Sequence, residues 1–162
     1  MRLQALDLND AGQAADWLEL LDHYAQDPMG GGKALSAAVR ADLVPRLRAH
    51  PGFHAAVLYD GATAVGLINC FTGFSTFAAR PLLNIHDIVV RAGWRGQGLA
   101  DPLIDWATGQ ATALGCCKLT LEVLSNNHGA RAAYARAGFA PYVLDPAAGD
   151  ALFLEKKLQP DG

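Results

Sequence analysis

The sequence predicts a mixed α/β fold in one domain spanning residues 1–162, and three observations carry that expectation. Apolar residues recur at helical spacing in four separate stretches. Short alternating or β-branched runs stand between them. One such run, Ile85-His86-Asp87-Ile88-Val89-Val90, leads through a turn holding Gly93, Gly96 and Gly98 into a helical pattern that opens at Leu99.

At 162 residues the chain is long enough to bury roughly two thirds of its unfolded surface. Its composition, 51% hydrophobic and 18% charged, excludes a disordered segment as the general description. A formal charge of −3 argues against a surface that coats nucleic acid. Cys70, Cys116 and Cys117 form no disulfide framework, which fits a reducing compartment. No apolar segment for export or membrane spanning is evident, so the expected location is cytoplasmic, with neither nucleic acid nor membrane as partner.

Residues 2–8 alternate as an opening strand. Asn9 or Asp10 then caps a helix whose apolar row is Ala14, Leu18, Leu21 and Ala25, stopped by Asp27-Pro28-Met29-Gly30-Gly31-Gly32. Ser36 caps a second helix with Val39, Leu43 and Leu47, bent at Pro45. Residues 53–59 and 64–71 form a hairpin across Asp60-Gly61. Residues 72–81 read equally as strand or loop, and 82–90 as the next strand. Leu99, Leu103, Ala107, Ala111 and Leu114 mark the third helix, ended by Gly115, with Pro102 tolerable in its first turn. A strand at 118–124, a short helix at 127–137 ended by Gly138, and two closing strands at 139–144 and 151–158 complete the order β-α-α-β-β-β-α-β-α-β-β.

A strand feeding a glycine-rich turn and then a helix builds an anion cradle, because backbone N–H groups converge there without helical partners. Two nucleotide patterns fail the comparison. Gly30-Gly31-Gly32-Lys33 lacks the spacing and the hydroxyl of a mononucleotide loop. Gly96-x-Gly98 begins a dinucleotide fingerprint, but Asp101 stands where a small residue is needed. Arg91 and Arg95 near the turn, with Lys118, Arg131 and Arg136 further on, suit one phosphate-bearing ligand.

Two segments together resemble the GCN5-related N-acetyltransferase (GNAT) family. Arg95-x-x-Gly98-x-Ala100 is similar to its pyrophosphate loop, Q/R-x-x-G-x-G/A. Asn127-x-x-Ala130-x-x-x-Tyr134-x-x-x-Gly138-Phe139 is similar to its N-x-x-A-x-x-x-Y-x-x-x-G-F segment. Asp101-Pro102 departs from the family's usual apolar or helix-favouring residues. The resemblance implies a mixed, mostly antiparallel central sheet, splayed at the cofactor cleft and flanked by about four helices. It implies acetyl-CoA as cosubstrate, no metal, and a homodimer.

It also implies roles for particular residues. Ile88, Val89 and Val90 would offer backbone groups to the pantetheine amides. Arg95, Gly96, Gln97, Gly98, Leu99 and Ala100 would surround the pyrophosphate, and Asn127 would meet the pantetheine arm or simply cap its helix. Tyr134 would protonate the departing thiolate or pack in the core.

Attack on a thioester needs a neutral amine, and a lysine-like ammonium is neutral only in about one part in a thousand at pH 7. A proton acceptor is therefore expected. His86 and Asp87 are the candidates, and strict alternation sends them to opposite faces of the strand. An imidazole titrates near neutral pH, which suits His86 to the task. In the related diamine acetyltransferases an acidic residue stands at the position His86 matches.

His50 and His54 have an HxxxH interval, but Pro51-Gly52 interrupts any helical face and no third ligand follows, so no metal site is expected. The strand around Cys70 favours burial over nucleophilic work. The loop from Asp27 to Lys33, the second helix and the aromatics Phe71, Phe74 and Phe77 are expected to shape the acceptor pocket, with Asp22, Asp27 and Asp87 drawing a cation. The expected acceptor is a primary amine of a small molecule, closest to the diamine type. The alternatives are a protein or peptide acceptor, or an acyl-CoA-binding sensor that transfers nothing.

Overall fold

The computed structural model describes residues 1–158; the last four residues of the expected 1–162 domain lie outside the described residues. Five strands form one sheet in the order β1-β2-β3-β4-β5. They are β1 (Arg2–Ala5), β2 (Phe53–Asp60), β3 (Thr63–Ser75), β4 (Arg80–Val90) and β5 (Leu119–Leu121). The first four pair antiparallel, while β5 runs parallel to β4. Parallel neighbours need a crossover, and α3 (Ala100–Ala113) supplies it. The remaining helices are α1 (Ala11–Gln26), α2 (Ala37–Arg48) and α4 (His128–Arg136). The expected mixed, mostly antiparallel sheet with four helices is the one observed.

Capping chemistry places the helices. Asp10 accepts from the backbone N–H groups of Gly12 and Gln13, Ser36 from Val39, and Asn127 from Ala130. α2 continues through Pro45 as far as Arg48. Alternation along the strands then fills both sides of the sheet. Ala56, Leu58, Ile68, Cys70, Leu83 and Ile85 pack with Leu103, Ala107 and Ala111 of α3. Val57, Tyr59, Leu67 and Val89 pack with Ala14, Trp17 and Leu20 of α1. Trp17 and Leu20 are fully buried, each worth about 1.5–3 kcal/mol of transfer free energy. The core face of α1 is thus one step round from the Ala14, Leu18, Leu21, Ala25 row, and Leu18 and Leu21 only flank it.

Between Phe71 and Arg80 the uncertain stretch resolves as hairpin: β3 continues to Ser75 and β4 begins at Arg80. The pairing of β4 with β5 covers only Leu83–Ile85 against Leu119–Leu121. The strand expected over 118–124 is correspondingly short. Beyond Ile85 the two strands part, which opens the sheet as a splayed cleft.

The two closing strands at 139–144 and 151–158 are absent. That stretch carries only a 3-10 turn at Pro146–Ala148, and Tyr142, Val143, Leu144, Leu152, Phe153 and Leu154 are exposed. A period-two pattern needs a neighbouring strand to complete its ladder. Here β5 pairs with β4 alone, while Pro141, Pro146 and the positive φ of Gly149 interrupt the backbone.

Candidate active site

The cleft between the parting strands is a cavity of about 810 Å³, within the range of small-molecule sites. Its walls come from β4 (Ile85, His86, Asp87, Ile88, Val90), the turn after it (Trp94, Arg95, Gly96, Gly98, Leu99, Ala100), the segment after β5, α4 with Tyr134, and the end of α1. The two segments that carry the family resemblance therefore face one space.

The turn leaves a run of backbone donors unpaired among the described residues. Gly96 and Gly98 both hold φ at +75°, a conformation that costs other residues about 1–2 kcal/mol. The backbone N–H groups of Gly96, Gln97, Gly98, Leu99 and Ala100 donate to no protein acceptor among the described residues. Asp101 N–H instead bonds the Gly98 carbonyl and closes the turn. An extra Cβ at Gly96 would meet open space, so conformation rather than crowding requires glycine there. Asp101 and Pro102 lie within the first turn of α3, which forms intact.

The charged side chains nearby are already engaged. Arg95 Nη1 lies 2.9 Å from Asp27 Oδ2, and its Nε donates to the Val90 carbonyl at 2.9 Å. Arg91 reaches the Ala64 carbonyl and Glu19, Arg131 the Ser125 carbonyl, and Arg136 Asp101. Free N–H groups, more than cations, are what the turn offers a phosphate.

His86 and Asp87 depart from the expected alternation. Asn69 pairs with Asp87 but Cys70 with Ile85, leaving His86 as the extra residue of a β-bulge. The bulge shifts the parity of β4: Ile85 and Ile88 pack towards α3, while His86 and Asp87 share the face towards α1. His86 is exposed, its ring edge-on to Phe71 at 5.4 Å. Asp87 Oδ2 accepts from Asn69 Nδ2 at 3.0 Å. Both side chains can therefore face one substrate.

Tyr134 is 8% exposed, its ring packed against Phe139. Burial, and then the neighbouring Tyr24, push its phenol up to about 12, so it stays protonated at neutral pH. Asn127 lines the cleft and caps α4 together. Ile88 and Val90 line the cleft, whereas the Val89 side chain turns into the α1 side of the core.

Tyr24 is a site residue that the sequence reading missed. It sits at the end of α1, where burial, Asp87 and Asp27 raise its phenol above the ordinary value and Arg95 opposes them. Its place in the row Trp17, Leu20, Tyr24 was the available signal. Gly30 holds the neighbouring 3-10 turn against it: a Cβ there would fall 2.0 Å from the Tyr24 carbonyl oxygen. Asp27 and Met29 of this turn line the cleft, but α2 and Phe71, Phe74 and Phe77 do not. Phe74 and Phe77 are exposed, and Phe71 packs on Phe53.

The three acidic candidates separate as well. Asp22 is consumed by Arg40 at 2.9 Å and the Leu35 N–H. Asp27 is held below the usual carboxylate range by the Met29 N–H and by Arg95. Asp87, bonded to one amide, keeps an oxygen for a ligand. Cys70 is fully buried and pushed up to about 12 by burial and then Asp87, which removes it as a nucleophile. Among the described residues no group of three His, Cys, Asp or Glu side chains could hold a metal, and no helix is long and apolar enough to cross a membrane.

A splayed sheet, a glycine turn with free backbone donors and a buried phenol meet at one cleft, the arrangement expected of an acyl-CoA-dependent transferase. The chain belongs to the acetyltransferase (GNAT) family, whose profile matches residues 16–139, and it is an acetyltransferase. Among solved structures it is similar to a probable acetyltransferase (20% identity, TM-score 0.77, 100% of this chain and 99% of the other). It is also similar to an aminoglycoside acetyltransferase from an uncultured soil metagenomic sample, in complex with sisomicin (18%, 0.75, 98% and 96%). A transcriptional regulator from Bacillus halodurans C-125 shares the fold too (17%, 0.76, 96% and 100%). No curated protein sequence matches significantly.

Proposed function

We propose that the protein transfers the acetyl group of acetyl-CoA to a primary amine of a small cationic molecule. The observation that carries this reading is the single cleft that holds free backbone donors at one end and the Asp87 carboxylate at the other. Asp87 lies three residues before Val90, about 10 Å along an extended strand, so the carboxylate stands apart from the glycine turn within the same cleft.

The amine nitrogen attacks the thioester carbonyl carbon and the C–S bond breaks. The ammonium proton leaves towards Asp87 or His86, directly or through water, and reaches solvent, as does the second nitrogen proton shed when the adduct collapses to the amide. Tyr134 gives its phenolic proton to the thiolate and regains one from solvent. The balance is one ammonium and one acetyl-CoA giving one amide, one coenzyme A thiol and one proton. Arg95, Gly96, Gln97, Gly98, Leu99 and Ala100 would take the pyrophosphate, the β4 edge at Ile88–Val90 the pantetheine amides, and Asn127 the arm beside α4. Direct attack needs no covalent enzyme intermediate, consistent with a buried, protonated Cys70.

An acetyl-CoA screen over diamines, aminoglycosides, amino-acid analogues and a peptide N-terminus, read by free-thiol release, tests the reading. Small cationic amines are the expected acceptors. Turnover confined to the peptide would transfer the assignment to protein substrates, and tight acetyl-CoA binding with no thiol release from any amine would make the protein a sensor.

A further inference from the structure

Among the described residues one polar side chain is buried with the core: Asn69 of β3, 2% exposed. A buried amide costs free energy unless its donors and acceptors are matched. Asn69 Oδ1 accepts from Trp17 Nε1 at 2.8 Å, and Asn69 Nδ2 donates to Asp87 Oδ2 at 3.0 Å. An indole nitrogen can only donate, so Trp17 fixes the amide oxygen towards itself and leaves the amide N–H group aimed at Asp87. The bonds therefore run in one direction, from α1 through β3 to β4, and end on a carboxylate.

Neither Trp17 nor Asn69 lines the cleft. An apolar pair of the same volume would hold α1 on the sheet without burying an amide, so packing does not account for it. The bulge does: with His86 as its extra residue, it brings Asp87 opposite Asn69 and onto the α1 face. We propose that Asn69 is a positioning residue for acetyl transfer, holding one oxygen of Asp87 and so presenting the other to the acceptor amine. This rests on the small-amine reading above. The titratable groups around Asp87 are Tyr24 of α1, Cys70 of β3 and adjacent His86, with Asp27, Arg95, Glu122 and Tyr134 on the other walls.

Asn69→Leu removes the donor at similar volume. Asn69→Asp keeps the shape and the Trp17 acceptor while replacing the donor with a second carboxylate. Each is compared with the unaltered protein in melting temperature, acetyl-CoA affinity, and kcat and KM for the best amine of the screen. Asn69→Leu is repeated on an Asp87→Asn background.

The freed Asp87 oxygen meets the amine and not acetyl-CoA, so the loss in both variants should fall on the kcat and KM of the amine and leave the KM of acetyl-CoA unchanged. At neutral pH kcat/KM should fall about tenfold, the scale of one charge-assisted hydrogen bond, with acetyl-CoA affinity within about twofold. On the Asp87→Asn background Asn69→Leu should cause no further loss. Equal loss in both backgrounds, or a kcat/KM within about twofold of the unaltered protein in whichever variant folds, overturns the proposal in favour of plain packing. Wild-type turnover in Asp87→Asn overturns it while leaving the transferase reading intact. Absence of turnover with every amine overturns the transferase reading itself, and this role with it.

Discussion

Tyr134→Phe deletes one oxygen, and the structure sets what that deletion should cost. The ring is buried against Phe139, while the hydroxyl bonds no protein group and no buried polar atom is left unsatisfied among the described residues. The oxygen therefore meets the cleft. Its removal forfeits no protein hydrogen bond, so stability should change by less than about 0.5 kcal/mol, and the melting temperature by less than about 2 °C. Turnover is a separate matter. With its pKa near 12, the phenol is ionised in only about one molecule in a hundred thousand at pH 7. It can act as acid and not as base.

A positioned general acid contributes on the order of 10²- to 10⁴-fold, or about 3–5 kcal/mol of barrier. A thiolate is already a fair leaving group, which places Tyr134→Phe near the lower limit, about 100-fold in kcat. The assay is free-thiol release at saturating acetyl-CoA and amine, with calorimetric acetyl-CoA affinity and thermal melting as controls. A kcat within about twofold of the unaltered protein would refute the acid role. A matching collapse of melting temperature and affinity would assign the residue to packing.

Other substitutions probe the frame around this site. Gly98→Ala places a side chain at a φ of +75°, costing about 1–2 kcal/mol and turning N–H groups away from the anion; calorimetry should show weaker acetyl-CoA binding by about tenfold. Gly30→Ala drives a methyl group into the Tyr24 carbonyl and should lower stability by about 1–3 kcal/mol, with a raised amine KM as the turn carrying Asp27 shifts. Burial raises Cys70 from 9.0 to about 12, so the unfolded chain ionises first as pH rises. The stability of the neutral thiol is complete below pH 9 and lost between 9 and 12, with a ceiling of about 4 kcal/mol. Denaturant melts across that window should show a flatter decline for Cys70→Val.

The local signals were legible where chemistry is local. Asp10, Ser36 and Asn127 cap their helices because a short polar side chain can reach the first free N–H groups whatever the tertiary context. Gly96 and Gly98 marked the turn because a positive φ selects them. The bulge at His86 leaves no such mark: Ile85 to Val90 reads as an unbroken strand, and only pairing with β3 shows the extra residue. Tyr24 enters the site because α1 crosses the sheet there, and Arg95 meets Asp27 through a contact 68 positions apart in sequence. The closing strands failed for the opposite reason, since Tyr142 to Leu144 and Leu152 to Leu154 have strand-like composition but no ladder.

The Arg95–Asp27 bridge gives the two halves of the cleft a shared thermodynamic fate. One partner belongs to the glycine turn proposed to take the pyrophosphate, the other to the wall proposed to meet the acceptor. A ligand that draws Arg95 away from Asp27 frees the segment carrying Met29, and a ligand that fixes Asp27 holds Arg95 in place. Linkage makes such influence mutual: the factor by which acetyl-CoA alters amine affinity must equal the factor by which the amine alters acetyl-CoA affinity. Any coupling between the two substrates that runs through this ion pair therefore acts equally in both directions, whichever loads first.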